Sequence, residues 1–197
     1  MRPSPFYLFA GAVGWPFTYG VYRLRAEGVD NVPRDGGAVL AANHTSNVDP
    51  WPLAIPLWPR RFVRFMAKSE LFWWPLGPII SSAGAFPVRR GERDVEAIRT
   101  AIELARAGDV VGMFPHGTRQ RKGLAKKHQP RAHSGAARIA LEGGVPLIPA
   151  AIAGTDRLSR FGPIRVRYGK PIALNGLDPH EATDVLMAEI ERLREAM

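Results

Sequence analysis

Three runs of strand length in this chain are almost wholly apolar, and this constrains the fold more than any other feature. Residues 38–42 read Ala-Val-Leu-Ala-Ala behind the turn Pro33-Arg34-Asp35-Gly36-Gly37. Residues 109–114 and 145–152 are the other two. Short apolar runs bounded by turn signals fit buried strands. In the last run Pro146 and Pro149 each lack a backbone donor, which predicts an edge position or an irregular end. Residues 22–32 read as a strand leading into the turn, and residues 61–67 and 83–88 as further core strands. Ile164, Val166 and Tyr168 alternate with Arg165 and Arg167, the pattern of a half-buried strand.

Helical patterns separate these runs. Thr45 to Asp49 offers capping side chains ahead of Pro50 and the apolar residues 51–57. Asp94 can cap a helix whose face carries Val95, Ile98, Ile102 and Ala105, closed by Gly108. Residues 134–141 read as helix, stopped by Gly143-Gly144. Asp178-Pro179 supplies a cap and first position for a last helix with Leu186, Ile190, Leu193 and Met197 on one side. Strands alternating with helices predict an α/β fold: a mixed, mostly parallel sheet flanked by helices. With 197 residues and 46% hydrophobic content, the chain suits one domain with a real core.

The N-terminus departs from that pattern. Residues 6–22 contain no charge, with Arg2 before them and Arg23 and Arg25 after. A spanning helix needs about 20 apolar residues. This stretch is at the short end, and Pro16, Gly11, Gly14 and Gly20 weaken a straight helix. The flanking arginines and the rings of Trp15, Tyr19 and Tyr22 suit a segment in the lipid headgroup zone. A helix buried on the domain itself is the alternative. We divide the chain accordingly into a membrane-associating segment, 1–22, and an α/β domain, 23–197. Leu71-Phe72-Trp73-Trp74-Pro75-Leu76 fits a membrane-dipping surface or buried core equally well.

The net charge of +9 predicts anionic partners. From Arg119 to Arg138 there are seven Lys or Arg residues and no acid. The absence of cysteine excludes disulfides, thiolate zinc sites and a cysteine nucleophile. No serine has glycines two residues away on both sides, and neither a His-Glu-x-x-His motif nor a glycine-rich phosphate loop occurs. We therefore expect no metal and no bound cofactor.

Two segments follow predicted core strands, at the strand ends where open α/β sheets gather ligands. The first is Asn43-His44-Thr45-Ser46-Asn47-Val48-Asp49. On a helix, His44 and Asp49 would be roughly 140° apart. At a strand-to-helix turn Asp49 can fold back, fix the imidazole tautomer and leave the other nitrogen as a base. The second is Phe114-Pro115-His116-Gly117-Thr118-Arg119, a tight loop ending in a bidentate phosphate donor.

With these segments the chain resembles the 1-acylglycerol-3-phosphate acyltransferases and related glycerolipid acyltransferases, over residues 22–172. Four blocks carry the resemblance in the family's order: His44-x4-Asp49; residues 84–90, ending on Arg90; residues 114–119; and Val145-Pro146-Leu147-Ile148-Pro149. The resemblance implies His44 as general base and Asp49 as its orienter. It implies direct attack of an acceptor hydroxyl on the thioester of an acyl-coenzyme A or acyl carrier protein. Arg90, His116, Gly117, Thr118 and Arg119 would bind the acceptor, the two arginines gripping its phosphate. The expected function is acyl transfer to a lysophosphatidic acid-like acceptor in phospholipid synthesis. The expected location is peripheral or monotopic on the cytoplasmic face of the cell membrane, against anionic lipid, with no nucleic-acid partner. The family usually has Glu where this chain has His116, which removes a negative charge beside Arg119. That difference leaves open another lysophospholipid or glycolipid acceptor, or an inactive basic lipid-binding module.

Overall fold

The computed structural model describes residues 3–88, 95–117 and 132–197. Among them, seven strands form one sheet: β1 (Arg25–Glu27), β2 (Ala38–Ala42), β3 (Val63–Lys68), β4 (Ala85–Val88), β5 (Val110–Met113), β6 (Leu147–Ala153) and β7 (Arg165–Tyr168). Their order across the sheet is β1-β7-β6-β2-β5-β3-β4. The five strands from β6 to β4 run parallel. β7 is antiparallel to β6, and β1 lies parallel to β7. This is the mixed, mostly parallel α/β sheet that the apolar runs predict.

All five residues of β2 are buried, because both faces of the sheet are covered. Side-chain alternation divides the core in two. Leu40 and Ala42 pack with Leu53, Ile55 and Leu57 from α2 (Pro50–Ala54) and the 3-10 turn after it. Val39 and Ala41 pack on the other face against α4 (Val95–Arg106), α5 (Gly135–Gly143) and α6 (Pro179–Glu195). A buried Leu or Ile side chain in such a core contributes about 1.5–3 kcal/mol. Tyr168, buried on β7, donates its hydroxyl to Leu53 O at 2.7 Å and so ties α2 to the sheet.

The capping reading of α6 holds in full. Asp178 accepts from the backbone N–H of His180 and Glu181, and the Glu181 carboxylate accepts from Asp178 N–H. Leu186, Ile190 and Leu193 are buried, whereas Met197 lies past the helix end.

Several local expectations change. Of residues 22–32 only Arg25–Glu27 is strand. Gly28, at φ 70°, turns the chain into a 3-10 turn where Tyr168 O leaves no room for a Cβ. β6 is an interior strand despite its prolines. Its antiparallel ladder with β7 begins at Ala150↔Tyr168, one residue past Pro149, whose carbonyl accepts from Gly169 N–H at 2.8 Å. The missing Pro149 donor therefore falls at the ladder's end. Val95, expected on the inner face of α4, is exposed in its first turn, and Ala101, Ile102 and Ala105 carry the buried stripe. Asp94 lies outside the described residues.

The N-terminal segment forms α1 (Pro5–Gly20), continuous through Pro16. Tyr7, Gly11, Gly14 and Thr18 make its buried face. A Cβ on Gly11 would collide with the Trp58 indole, and one on Gly14 would meet Trp51 at 3.0 Å, so the small residues let two indoles pack against the backbone. Around the rest of the helix Phe6, Phe9, Val13, Trp15 and Phe17 are exposed. No helix among the described residues is long and apolar enough to cross a membrane. Trp73 and Trp74, read as either surface or core, are on the surface; Trp74 is 80% exposed. They precede α3 (Leu76–Ser82).

Candidate active site

The sheet order puts β6, β2 and β5 side by side and parallel, so their carboxyl ends open at one edge. β2 leads into Asn43-His44, β5 into Phe114 and β6 into Gly154-Thr155. After β2 the chain makes a tight turn, in which Asp49 N–H donates to Ser46 O at 3.2 Å, before entering α2. That turn folds Asp49 back on His44, with Nδ1 and Oδ2 2.8 Å apart. The Asp49 side chain does not cap α2, as the sequence suggested. It reaches upstream instead, and Oδ2 also accepts from Thr45 N–H at 2.6 Å and Ser46 N–H at 2.8 Å.

Three donors therefore converge on one carboxylate oxygen. Asp49 is 0% exposed, and its other oxygen, Oδ1, is buried without a hydrogen-bond partner among the described residues. Since the carboxylate is the acceptor, the proton of neutral His44 sits on Nδ1, and Nε2 carries the lone pair. The His44 side chain is 12% exposed. Its ring stacks on Phe114 with centroids 4.2 Å apart and planes 19° apart, and Phe114 stacks in turn on Phe65 at 6.1 Å. The imidazole is thus fixed in plane by a carboxylate and in tilt by a ring.

Phe65 also lines an apolar pocket of about 330 Å³ with Tyr7, Pro50, Trp51, Ile55, Trp58 and neighbours. α1 covers one wall through Tyr7, Ala10 and Gly11. Pro50 in that wall directly follows Asp49.

The third block does not act as one unit. Phe114 goes to His44, whereas His116 lies buried in a separate pocket with His180, Thr183, Asp184 and Met187, all four on α6. Burial lowers the His116 pKa from its ordinary value; nearby His133 lowers it further, and Glu191 opposes. Gly117, at φ 63°, donates its N–H to Phe114 O at 2.8 Å and leaves space for the His133 ring, which a Cβ would approach to 3.3 Å. Arg90, Thr118 and Arg119 lie outside the described residues, as does most of the basic tract. Among the described residues no group of three or more His, Asp or Glu is placed to hold a metal ion.

Sequence reasoning gave no separate role to Asn43, Phe114, Thr155 or His133. Their common signal was position: each flanks an end of β2, β5 or β6, or the loop leaving it.

A mostly parallel α/β domain with a His–Asp pair at a central strand end and an apolar pocket beside it has the layout of a class of α/β enzyme domains whose site adjoins an apolar cavity. The comparisons narrow that class. An acyltransferase family model matches residues 23–153, and the chain belongs to this family. It is 34% identical over 169 residues to 1-acyl-sn-glycerol-3-phosphate acyltransferase of Bacillus subtilis, covering 83% of this chain and 77% of that one. It is 31% identical to the Streptococcus pneumoniae enzyme of the same name, covering 75% and 55%. The crystal structure of the 1-acyl-sn-glycerophosphate acyltransferase of Thermotoga maritima superposes with a TM-score of 0.68 at 26% identity, covering 95% of this chain and 78% of that one. The chain is thus an acyltransferase of the 1-acyl-sn-glycerol-3-phosphate acyltransferase family, whose place is in phospholipid synthesis.

Proposed function

We propose that this chain transfers a fatty acyl group from an acyl-coenzyme A or acyl carrier protein thioester to the free hydroxyl of a lysophosphatidic acid-like acceptor, with His44 as general base. The observation that carries this reading is the bond from His44 Nδ1–H to Asp49 Oδ2, at the carboxyl end of β2 and beside the apolar pocket. Nε2 takes the proton from the acceptor hydroxyl as its oxygen attacks the thioester carbonyl. The C–S bond breaks, and the departing thiolate recovers the proton. Asp49 holds the tautomer and stabilises the imidazolium that forms. Base catalysis of this kind contributes about 10²- to 10⁴-fold.

The pocket behind Pro50 and Phe65 suits the acyl chain, because its walls are almost entirely hydrocarbon and aromatic. Arg90 and Arg119 are assigned the acceptor phosphate, and His116 with Gly117 and Thr118 its surroundings, on the resemblance of their blocks. The exposed aromatic residues of α1, with Trp73 and Trp74, support docking to a membrane surface; the net charge of +9 favours anionic lipid, and we assign the protein a peripheral or monotopic place on the cytoplasmic face.

Thiol release from an acyl donor in the presence of lysophosphatidic acid tests the chemistry. Wild type is expected to turn over and His44→Ala to fall to background. Equal release by the two proteins refutes the assignment of the base.

A further inference from the structure

In a sheet, every backbone N–H and C=O of a strand needs a partner, and a strand that outruns its neighbour leaves some of them open. β6 outruns β2. Their last paired residues are Ala42 and Ala150, yet β6 continues to Ala153. The Gly169 N–H bond to Pro149 O fixes the alternation, so residues 149, 151 and 153 point their polar groups at β7, while Ile152 points its own at β2. Opposite Ile152 there is no longer a strand. The side chain of Asn43 stands there instead: its Oδ1 accepts from Ile152 N–H at 2.8 Å and its Nδ2 donates to Ile152 O at 2.9 Å. Asn43 is buried, as is Ile152. One amide side chain thus forms the final rung between β2 and β6.

His44 is the next residue. On its other side, Thr45 Oγ1 lies 3.0 Å from the hydroxyl of buried Thr155, in the turn directly after β6. The same Thr45 donates its backbone N–H to Asp49 Oδ2. Both chain neighbours of His44 are therefore tied to one short stretch of β6 and its turn, residues 152–155.

We infer that Asn43 and Thr155 are positioning residues for acyl transfer: they clamp the backbone on either side of His44 to the end of β6, and so set where Nε2 meets the acceptor hydroxyl. This rests on His44 being the base. The amide at 43 is needed because it satisfies both polar groups of buried Ile152, and the hydroxyl at 155 because it is itself buried and finds its partner in half-buried Thr45. A displacement of about 1 Å at a catalytic group can cost on the order of 10²-fold in rate, and the clamp prevents a shift of that size.

The test measures kcat and KM for donor and acceptor on folded protein, well below each variant's melting temperature, with His44→Ala in parallel. Asn43→Asp keeps the shape and the acceptor but loses the amide donor; Thr155→Val keeps the shape and loses the hydroxyl. We expect kcat to fall about 10- to 100-fold in Asn43→Asp and about 5- to 10-fold in Thr155→Val, with both KM values within about twofold of wild type. Thr155→Ser should recover most of the loss. Should Asn43→Asp not fold, the Val/Ser pair at 155 decides alone. If His44→Ala is inactive while Asn43→Asp and Thr155→Val keep kcat within about twofold, the two residues serve stability only; the clamp is overturned and the base survives. If His44→Ala turns over normally, the base reading falls and the clamp with it.

Discussion

Asp49→Asn separates two things a carboxylate does for a catalytic histidine: hold the tautomer and carry the charge. Which of the two is lost depends on which way the new amide turns. Oδ2 receives three N–H donors, from His44 Nδ1, Thr45 and Ser46, whereas Oδ1 has no partner among the described residues. An amide nitrogen at the Oδ2 position would face two backbone N–H groups within 2.8 Å. Donor against donor forbids that orientation, so the amide oxygen takes the Oδ2 place and the nitrogen takes the empty side. His44 keeps its proton on Nδ1, and Nε2 remains a base.

What disappears is the negative charge facing the imidazolium of the transition state. A hydrogen bond to a charged group is worth about 1.5–3 kcal/mol and a neutral one about 0.5–1.5. The difference of about 1–2 kcal/mol corresponds to roughly a 5- to 30-fold fall in kcat. KM for the acceptor should change little, because the charge matters mainly once the proton has moved. Steady-state thiol release over a range of acceptor concentrations measures both. In serine proteases, where the equivalent amide imposes the wrong tautomer, the loss is about 10⁴-fold. A loss of that order here would mean that the amide had turned the other way and that the backbone donors do not control the site. An unchanged kcat would remove Asp49 from the mechanism.

Three other outcomes are expected. Arg119→Ala should raise KM for a phosphorylated acceptor at least about tenfold, as loss of a charge-assisted bond implies; an equal rise with a phosphate-free acceptor contradicts phosphate contact. His116 has its folded pKa depressed by burial, so between its unfolded value of about 6.5 and its lower folded value the unfolded chain binds more protons. Stability should therefore drop as the pH is lowered through that acidic window, and melting curves of His116→Gln should show a flatter acid limb; an unchanged limb refutes the assignment. The double change Trp73→Ser with Trp74→Ser should weaken sedimentation with anionic vesicles while stability stays within about 0.5 kcal/mol, since both rings are exposed; undiminished binding moves the anchor to α1 or the basic tract.

The strands at the centre of the sheet were legible because double burial leaves an unambiguous trace: residues 38–42 carry no polar side chain, and all five are buried. The His44–Asp49 pair was legible because only a turn could join residues five apart. Other features were not, since what decides them is far away in sequence. Nothing near Pro149 says that the ladder with β7 starts one residue later, so the prolines left an edge position and an irregular end both open, and the strand is interior with Pro149 at the ladder's end. Asp49 read as a helix cap because its local sequence permits one, but three upstream donors compete for the same oxygen and win. Asn43 had no role of its own in the sequence, because its two bonds to Ile152 depend on the excess length of β6, more than a hundred residues on.

The third block shows the limit most sharply. Phe114 to Arg119 is one motif in sequence, but at the end of β5 its described residues part. Phe114 stays on the α2 side of the sheet, against His44, and the turn closed by Gly117 N–H onto Phe114 O sends His116 toward α6. The histidine that stands where the family usually has Glu therefore changes the pocket shared with His180 and Asp184, not the surface that holds the His44 ring. Orientation of the proposed base comes from Asp49 and Phe114 on one side of the sheet, and the His116 difference acts on the other. Along the chain the two are linked through the turn at Pro115, so a change at His116 that displaces Phe114 would reach the His44 ring.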